Sequence, residues 1–519
     1  MSTAEDDKHC DEDRVAGGAR WLTAAIVTIG VFNYGYALIM MRLLKVHDYS
    51  TFTAGQGLLL WIFALATGAI PLVLAKALSR ARSEAERSTA TRYAMIVSGG
   101  MGFLAALVVT AIALRFAHWA VALTIGVSAF IICQAQTPSG WLLGNERIRT
   151  LSALQVTEDV IKISSGLLLV IVAGLGDVGA LASIGIAGLT PLPWWPRIRH
   201  GSRRLWLTAL GCRDMWHSTI RLATAQGLVS LFTAIDVVMV SILPVRPDAA
   251  ASYQASATVS RVPVWLAMGI GTAFFPSLSR RIRAGQLAGR AVQLYAIVAL
   301  PLLAVLLTVP PTVLATAFPA KFGEMATLLK FTAVTGLASG GITLATAFFQ
   351  AADDYAFLWW LGGGMGGFVI GLIGGWWLGG ITGLAAGGAI SVSILFILVG
   401  YRVARRQGNG VFAHVSLTTP AVSAVILVAL RAYPVPWLIA AIAVGFLAGL
   451  RFLSGTASPG HARSGRIGLR QLVGRKAGEV VAVLRQHRLE EPDAVEPILG
   501  QHVPRAQPPS FTGIDDTRT

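Results

Sequence analysis

RLLKVHDYSTFTAGQGLLLWIFALATGAIPLVLAKALSRAR, residues 42–82, decides the fold. It opens on a turn carrying Arg42, Lys45 and Asp48, runs apolar over 57–77, and closes on Lys76, Arg80 and Arg82. About twenty apolar residues wound as an α-helix cover roughly 30 Å, the thickness of a bilayer's hydrocarbon. The stretch therefore predicts one membrane-crossing helix, with a turn on one side and a basic hairpin on the other.

The same reading extends along the chain. Spans are predicted near 21–41, 57–77, 93–114, 119–138, 160–176 and 178–195, and after a basic loop near 219–243, 258–278, 291–317, 327–351, 357–378, 381–401, 416–433 and 435–454. An even number of spans puts both termini on one side. With the N-terminus in the cytoplasm, 34 of the 42 Lys and Arg residues fall on the cytoplasmic side, as the positive-inside rule requires. The acidic start, MSTAEDDKHCDEDR, lacks the basic head of a signal peptide, so the first span is expected to stay in place.

Composition agrees. With 54% of 519 residues hydrophobic, 13% charged and a mean hydropathy of +0.65, there is too little polar surface to cover a soluble globule. The 56 glycines suit helices that pack closely in lipid. The net charge of +16 is read as cations against anionic headgroups rather than nucleic acid. Cys10, Cys133 and Cys212 show no disulfide or metal-ligand spacing, and no metal or cofactor is expected.

The organisation expected is all-α: a cytoplasmic tail (1–20), two six-helix bundles (21–200 and 201–406), two added helices (407–454) and a basic cytoplasmic tail (455–519). Within that tail, 469–488 sets Leu469, Leu472, Val473, Val480 and Leu484 along one face, as an interfacial helix would. An internal repeat supports the two bundles. At an offset of 200, residues 42–82 match 242–282 at six of 41 positions, among them Asp48 with Asp248 and Leu78-Ser79-Arg80 with Leu278-Ser279-Arg280. Each copy runs from an external turn through one span to a basic hairpin.

On these residues the chain resembles bacterial polysaccharide and oligosaccharide-lipid flippases. Residues 42–82 are similar to their first external loop and second helix, where an arginine-leucine pair precedes an acidic-aromatic turn. GWLLGNERIR (140–149), Asp236 through Tyr253, and SRVPVWLAMGIGTAFFPSLSRR (260–281) extend the likeness over most of 21–405. The pattern is departed from at His47-Asp48-Tyr49, where a glycine commonly follows the aromatic. The resemblance implies the multidrug/oligosaccharidyl-lipid/polysaccharide exporter superfamily, which also holds multidrug antiporters.

Ionisable groups inside spans are costly and therefore informative. Asp236 lies centrally in the seventh span, Arg261 near the outer start of the eighth, and Lys330 at the start of the tenth. Together with Arg42, the two cations are candidates to hold a pyrophosphate in a wet chamber between the bundles, with Asp236 setting local charge or taking a proton. Glu158, Asp159 and Lys162, at the start of the fifth span, read equally as groups snorkelling to the interface. Asn33, Gln134, Gln226 and Gln350 are candidates to bind sugar hydroxyls, and each has the alternative of bonding helix to helix. The glycine runs at 362–367 and 374–380 lack the lysine-serine ending of a phosphate loop and predict close helix packing.

No Walker-type loop is present, and no catalytic residue is assigned. The function expected is a cytoplasmic-membrane flippase for a polyprenyl-diphosphate-linked glycan precursor, working by alternating access. Its partners are the lipid-linked glycan, membrane lipids and glycan-assembly enzymes. A multidrug or cation antiporter is the alternative. An intramembrane glycan polymerase or ligase fits less well, because such enzymes present a sizeable external loop.

Overall fold

The computed structural model describes residues 30, 32–195, 211–279, 284–319, 321–352, 354–408, 411–412, 415–416 and 418–456. The long regular elements among them are helices. The N-terminal tail, much of the loop after the sixth span, and the proposed interfacial helix at 469–488 lie outside the described residues.

In the first half, α1 (32–43) turns into α2 (Val46–Ala69), which continues through Ile70 as α3 (Pro71–Arg80). Pro71 suits the first position of a helix, where no intrahelical donor is required of it. α4 (Glu84–Ala113) starts on a capping pair: Ser83 Oγ accepts from the Glu86 amide at 3.2 Å, and Glu86 accepts from the Arg82 amide at 2.7 Å. α5 (Trp119–Gly144), α6 (Ile148–Leu167, extended by a wide turn to Val172) and α7 (Gly176–Ala187) complete the bundle.

The second half begins with α8 (Arg213–Leu231) and α9 (Ile235–Ile242), one crossing bent by 58°. α10 (Pro247–Ser260) and α11 (Val262–Ser279) form the next, interrupted at Arg261. α12 (Ala284–Thr308), the short α13 (Pro311–Ala317) and α14 (Met325–Ala351) follow. Phe357–Gln407 is two limbs, α15 (357–378) and α16 (381–407), reversed at Gly379 and Gly380. Gly380 has φ +59°, the left-handed conformation in which a side chain is strained. α17 (Thr418–Ala429) and α18 (Pro434–Thr456) end the described chain.

Among the described residues, eight helices are long and apolar enough to cross a bilayer, and the bent α8–α9 pair makes a ninth. Dividing Phe357–Gln407 at its glycine turn makes ten, and α1, α6, α7 and α17 stand where the remaining four spans are predicted. Two large apolar cores result, one centred on residues 36–181 and one on 225–411. α17 and α18 attach outside them, against α12: Trp437 is 2% exposed and its indole nitrogen donates to Thr308 Oγ1 at 3.3 Å.

Two boundaries differ from the sequence reading in the same way. The second span begins at Val46 rather than 57, and the eighth at Pro247 rather than 258. The missed segments are polar, and hydropathy discards them. They are helical because they face protein: residues 49–55 and 249–257 are buried throughout. The two starts fall 201 residues apart, and Asp48 and Asp248 each lie in the first turn, where a helix dipole favours a carboxylate. The fifth span also starts earlier, at Ile148 rather than 160, so Asp159 and Lys162 lie deep in it rather than at its edge.

The glycine runs divide. A Cβ on Gly371 or Gly375 would collide with the facing limb, at Ser391 and at the Gly383 carbonyl, so these glycines allow α15 and α16 to touch. Gly362, Gly363, Gly366 and Gly367 have nothing within 4 Å of that position, and for them the expected close packing is absent. The consequence is measurable. Gly375→Leu should destabilise the detergent-solubilised protein by about 1–3 kcal/mol through overpacking, lowering its thermal midpoint, whereas Gly362→Leu should leave it unchanged.

Candidate functional site

The second half carries a buried ionic network at the bend of its first crossing. Asp236 lies in the first turn of α9 and is 3% exposed. Arg261, at the interruption between α10 and α11, places Nη2 3.1 Å from Asp236 Oδ1, and the Tyr253 hydroxyl donates to Oδ2 at 3.2 Å. Gln254 ties the same helices together, donating to the Val237 carbonyl at 3.3 Å and to Ser241 Oγ at 2.8 Å. Because the crossing starts at Pro247 and runs to Phe275, Arg261 is about 21 Å along it at 1.5 Å per residue, near its midpoint rather than near its start.

Beside this network is a small polar cavity lined by Asp236, Ser260, Arg261, Thr332, Thr335 and Ser339. Its volume is about 10 Å³, the size of a single water site. Ser339 Oγ is buried there with no hydrogen-bond partner among the described residues. The sequence offered no sign of Ser339, one hydroxyl in an apolar helix.

The first half has its own network. Lys162 pairs with Asp159 and donates to Asn33 Oδ1 at 2.6 Å, while Asn33 Nδ2 donates to Asp159 Oδ1 at 3.3 Å. Asp159 and Lys162 are 7% and 8% exposed, so they do not snorkel. Their i,i+3 spacing on one helix face was the available signal. The ammonium also lies 5.9 Å from the centroid of Tyr36, whose hydroxyl donates to the Ala180 carbonyl at 2.9 Å.

α2 is where the halves meet, packing on α8, α9 and α10. Trp61 donates to the Gly227 carbonyl at 3.1 Å, and Tyr49 reaches Thr258 and the field of Arg261. Nearer the basic hairpins, the Tyr93 and Thr219 hydroxyls are 2.9 Å apart. At the opposite end Arg42 Nη2 donates to the Ala317 carbonyl at 3.1 Å, Lys321 donates to the Leu44 carbonyl, and Tyr49 meets Phe322 edge to face at 5.3 Å. Burial pushes the Lys321 pKa down from its usual value. The halves are thus in contact at both ends, and this is a closed conformation. The wet chamber expected between them requires these contacts to part.

The candidate residues fall into separate places. Asp236 and Arg261 are together, and Asn33 belongs to the first-half network. Arg42 is an exposed clasp between the halves and Lys330 is exposed on α14; neither lines the cavity beside Arg261. Gln134 bonds α5 to α4 through Ser98, at 3.2 Å to its carbonyl and 3.3 Å from its hydroxyl. Gln226 packs against Gly68 across the half-to-half contact, its Cγ 2.8 Å from where a Cβ there would lie. Gln350 Nε2 is buried without a hydrogen-bond partner among the described residues.

Two apolar cores meeting along the second span, and an ionic network within each half, define the class: a two-lobed, all-helical bundle of membrane-crossing helices. No family model matches the sequence, and no curated relative does. Solved structures do. The fold is similar to that of the lipid II flippase MurJ in an inward closed conformation, with a TM-score of 0.62 at 13% identity over 83% of this chain and 98% of that one. It is similar to an inward-facing multidrug resistance MATE transporter of the MOP superfamily, with a TM-score of 0.57 at 14% identity over 73% and 94%. A MOP transporter from Pyrococcus furiosus gives 0.54 at 16% identity over 75% and 95%.

The Asp236–Arg261 pair can be tested as a unit. Removing one partner strands a buried charge, so Asp236→Leu and Arg261→Met should each lower unfolding stability by about 3–5 kcal/mol. The double variant should recover most of that loss, measured by thermal or denaturant unfolding in detergent.

Proposed function

We propose that the chain is an exporter that flips a polyprenyl-diphosphate-linked glycan precursor across the cytoplasmic membrane, both termini facing the cytoplasm, by alternate opening of its two lobes. The observation that carries this reading is Arg261: a guanidinium midway along the Pro247–Phe275 crossing, at the end of helix α10, which packs against α2 of the other lobe. A cation in that position costs free energy unless it serves a partner. Asp236 is that partner in the closed state. When the lobes separate, a diphosphate can replace the carboxylate as the acceptor, through the charge-assisted, bidentate bonds that guanidinium geometry favours.

The sugar head needs such a path because unpaired hydroxyls in hydrocarbon cost several kcal/mol each. The polyprenyl tail needs none. The polar, buried starts of the second and eighth spans line the meeting face, and parting them exposes Tyr49, Thr53, Gln254 and Thr258 for hydroxyl recognition. Likeness to MurJ, named a lipid II flippase, supports a lipid-linked cargo. Likeness to the MATE transporters supports the second reading, a multidrug antiporter in which Asp236 exchanges a cation for cargo. Glycan-assembly enzymes are the partners the first reading implies.

The two readings separate in proteoliposomes. The first expects translocation of a fluorescent polyprenyl-diphosphate saccharide, and the second expects efflux of a cationic dye driven by a proton or sodium gradient. For the first, the folded double variant Asp236→Leu/Arg261→Met should lose flipping by about tenfold or more, the worth of one charge-assisted hydrogen bond. Arg431→Ala, an exposed change at the α17–α18 turn, should leave it unchanged at matched expression. Equal flipping by the two variants would remove Arg261 from the path.

A further inference from the structure

Between α15 and α16 runs an apolar groove of about 520 Å³, lined by Trp359, Trp360, Gly363, Gly367, Ile394 and Leu398, among others. This volume lies within the range of small-molecule sites. Its floor exists because glycine stands where side chains would fill it: a Cβ at Gly363 or Gly367 meets nothing within 4 Å. Trp359 and Ile394 beside it are 87% and 62% exposed. From 359 to 367 the helix rises about 12 Å at 1.5 Å per residue, close to the roughly 15 Å of one leaflet's hydrocarbon. In a bilayer such a groove takes up hydrocarbon, since a void forfeits dispersion contacts along both walls.

The mouth of the groove specifies the kind of molecule. Trp360, a wall residue, lies under the Arg402 guanidinium, 5.5 Å from ring centroid to carbon. Arg402 and Arg406 reach Asp354 at 3.5 and 3.0 Å, and Arg402 Nε is buried without a hydrogen-bond partner among the described residues. Arg405 lies over Tyr401 at 4.9 Å and Arg221 over Tyr355 at 5.8 Å. Two guanidinium groups pair with Asp354, and those of Arg405 and Arg221 stack on the nearby Tyr401 and Tyr355; against Asp354 and its sequence neighbour Asp353, the four arginines leave two positive charges in excess.

We propose that this is a binding site for an anionic phospholipid, one acyl chain lying along the glycine floor and the phosphate held among Arg402, Arg405 and Arg406. A zwitterionic lipid could fill the groove but not balance its mouth. A second copy of the chain fits less well, because a two-fold axis along the membrane normal would set two basic clusters at the same level. The site is on the outer flank of the second lobe and is independent of what the lobes carry.

Native mass spectrometry of the full-length protein, titrated with phosphatidylglycerol or phosphatidylcholine, tests it. The wild-type protein should retain phosphatidylglycerol by about tenfold or more over phosphatidylcholine, the preference that two excess guanidinium groups supply. Gly367→Leu puts a side chain where the acyl chain lies. It should abolish this retention with the thermal midpoint unchanged, since the position has room. Arg405→Gln/Arg406→Gln should bring the ratio of the two lipids toward one while phosphatidylcholine binding persists. Three results would overturn the proposal: equal retention of both lipids by the wild type, phosphatidylglycerol retention unaffected by Gly367→Leu, or a dimer that Gly367→Leu dissociates.

Discussion

Hydrocarbon gives a charge no partner, and the interior of this protein is arranged around that constraint. Each half carries a carboxylate and a cation deep in its crossings, and each pair is closed by a third polar group: Asn33 for Asp159 and Lys162, Tyr253 for Asp236 and Arg261. The third group is what allows burial. An ion pair removed from water recovers its desolvation cost only if the remaining lone pairs and protons are also met. In the second half the crossings are thereby held in register, because sliding α9 past α10 by a single turn would part Asp236 from Arg261.

The same constraint explains why the second and eighth spans begin with polar sequence. Tyr253 and Gln254 on α10 could not face lipid without losing their partners on α9. Several hydroxyls of the two starts bond back along their own helix, as Thr53 does to the Tyr49 carbonyl at 2.7 Å and Ser252 to the Asp248 carbonyl at 2.8 Å.

The sequence made legible what depends on long averages. The all-helical, many-spanned character and the places of the long helices follow from apolar runs of about twenty residues and from where the cations interrupt them. It misplaced what depends on which side of a helix faces protein. The first turns of α2 and α10 were read as external loops, because twelve polar or small residues outweigh their neighbours in any hydropathy window. Asp159 and Lys162 were read as surface groups for the same reason: the fifth span was started twelve residues late. Asp236 with Arg261 was recognisable as charge in a span, but their pairing depends on the bend at Thr233–Ala234 and the interruption at Arg261, and neither is marked by a proline or glycine at that position. The glycine runs sit at the limit of such reading, since packing against a helix and opening a groove both demand glycine.

The two networks are alike in chemistry but not in situation, and the difference bears on mechanism. Lys162 and Asp159 are enclosed within the first half, against Tyr36 and the carbonyl-bound turn of α7. Arg261 stands at the meeting face, within the electrostatic reach of Tyr49 of the other lobe. A cation that gains and loses neighbours as the lobes move is coupled to that motion by differential interaction, the only way a ligand can shift such an equilibrium. An anion that binds Arg261 more tightly in the open state than Asp236 does stabilises opening, and its departure lets Asp236 draw the network closed again. Under the proposed function the cargo itself would supply the bias between states, with the first-half pair as the fixed frame against which the second half moves.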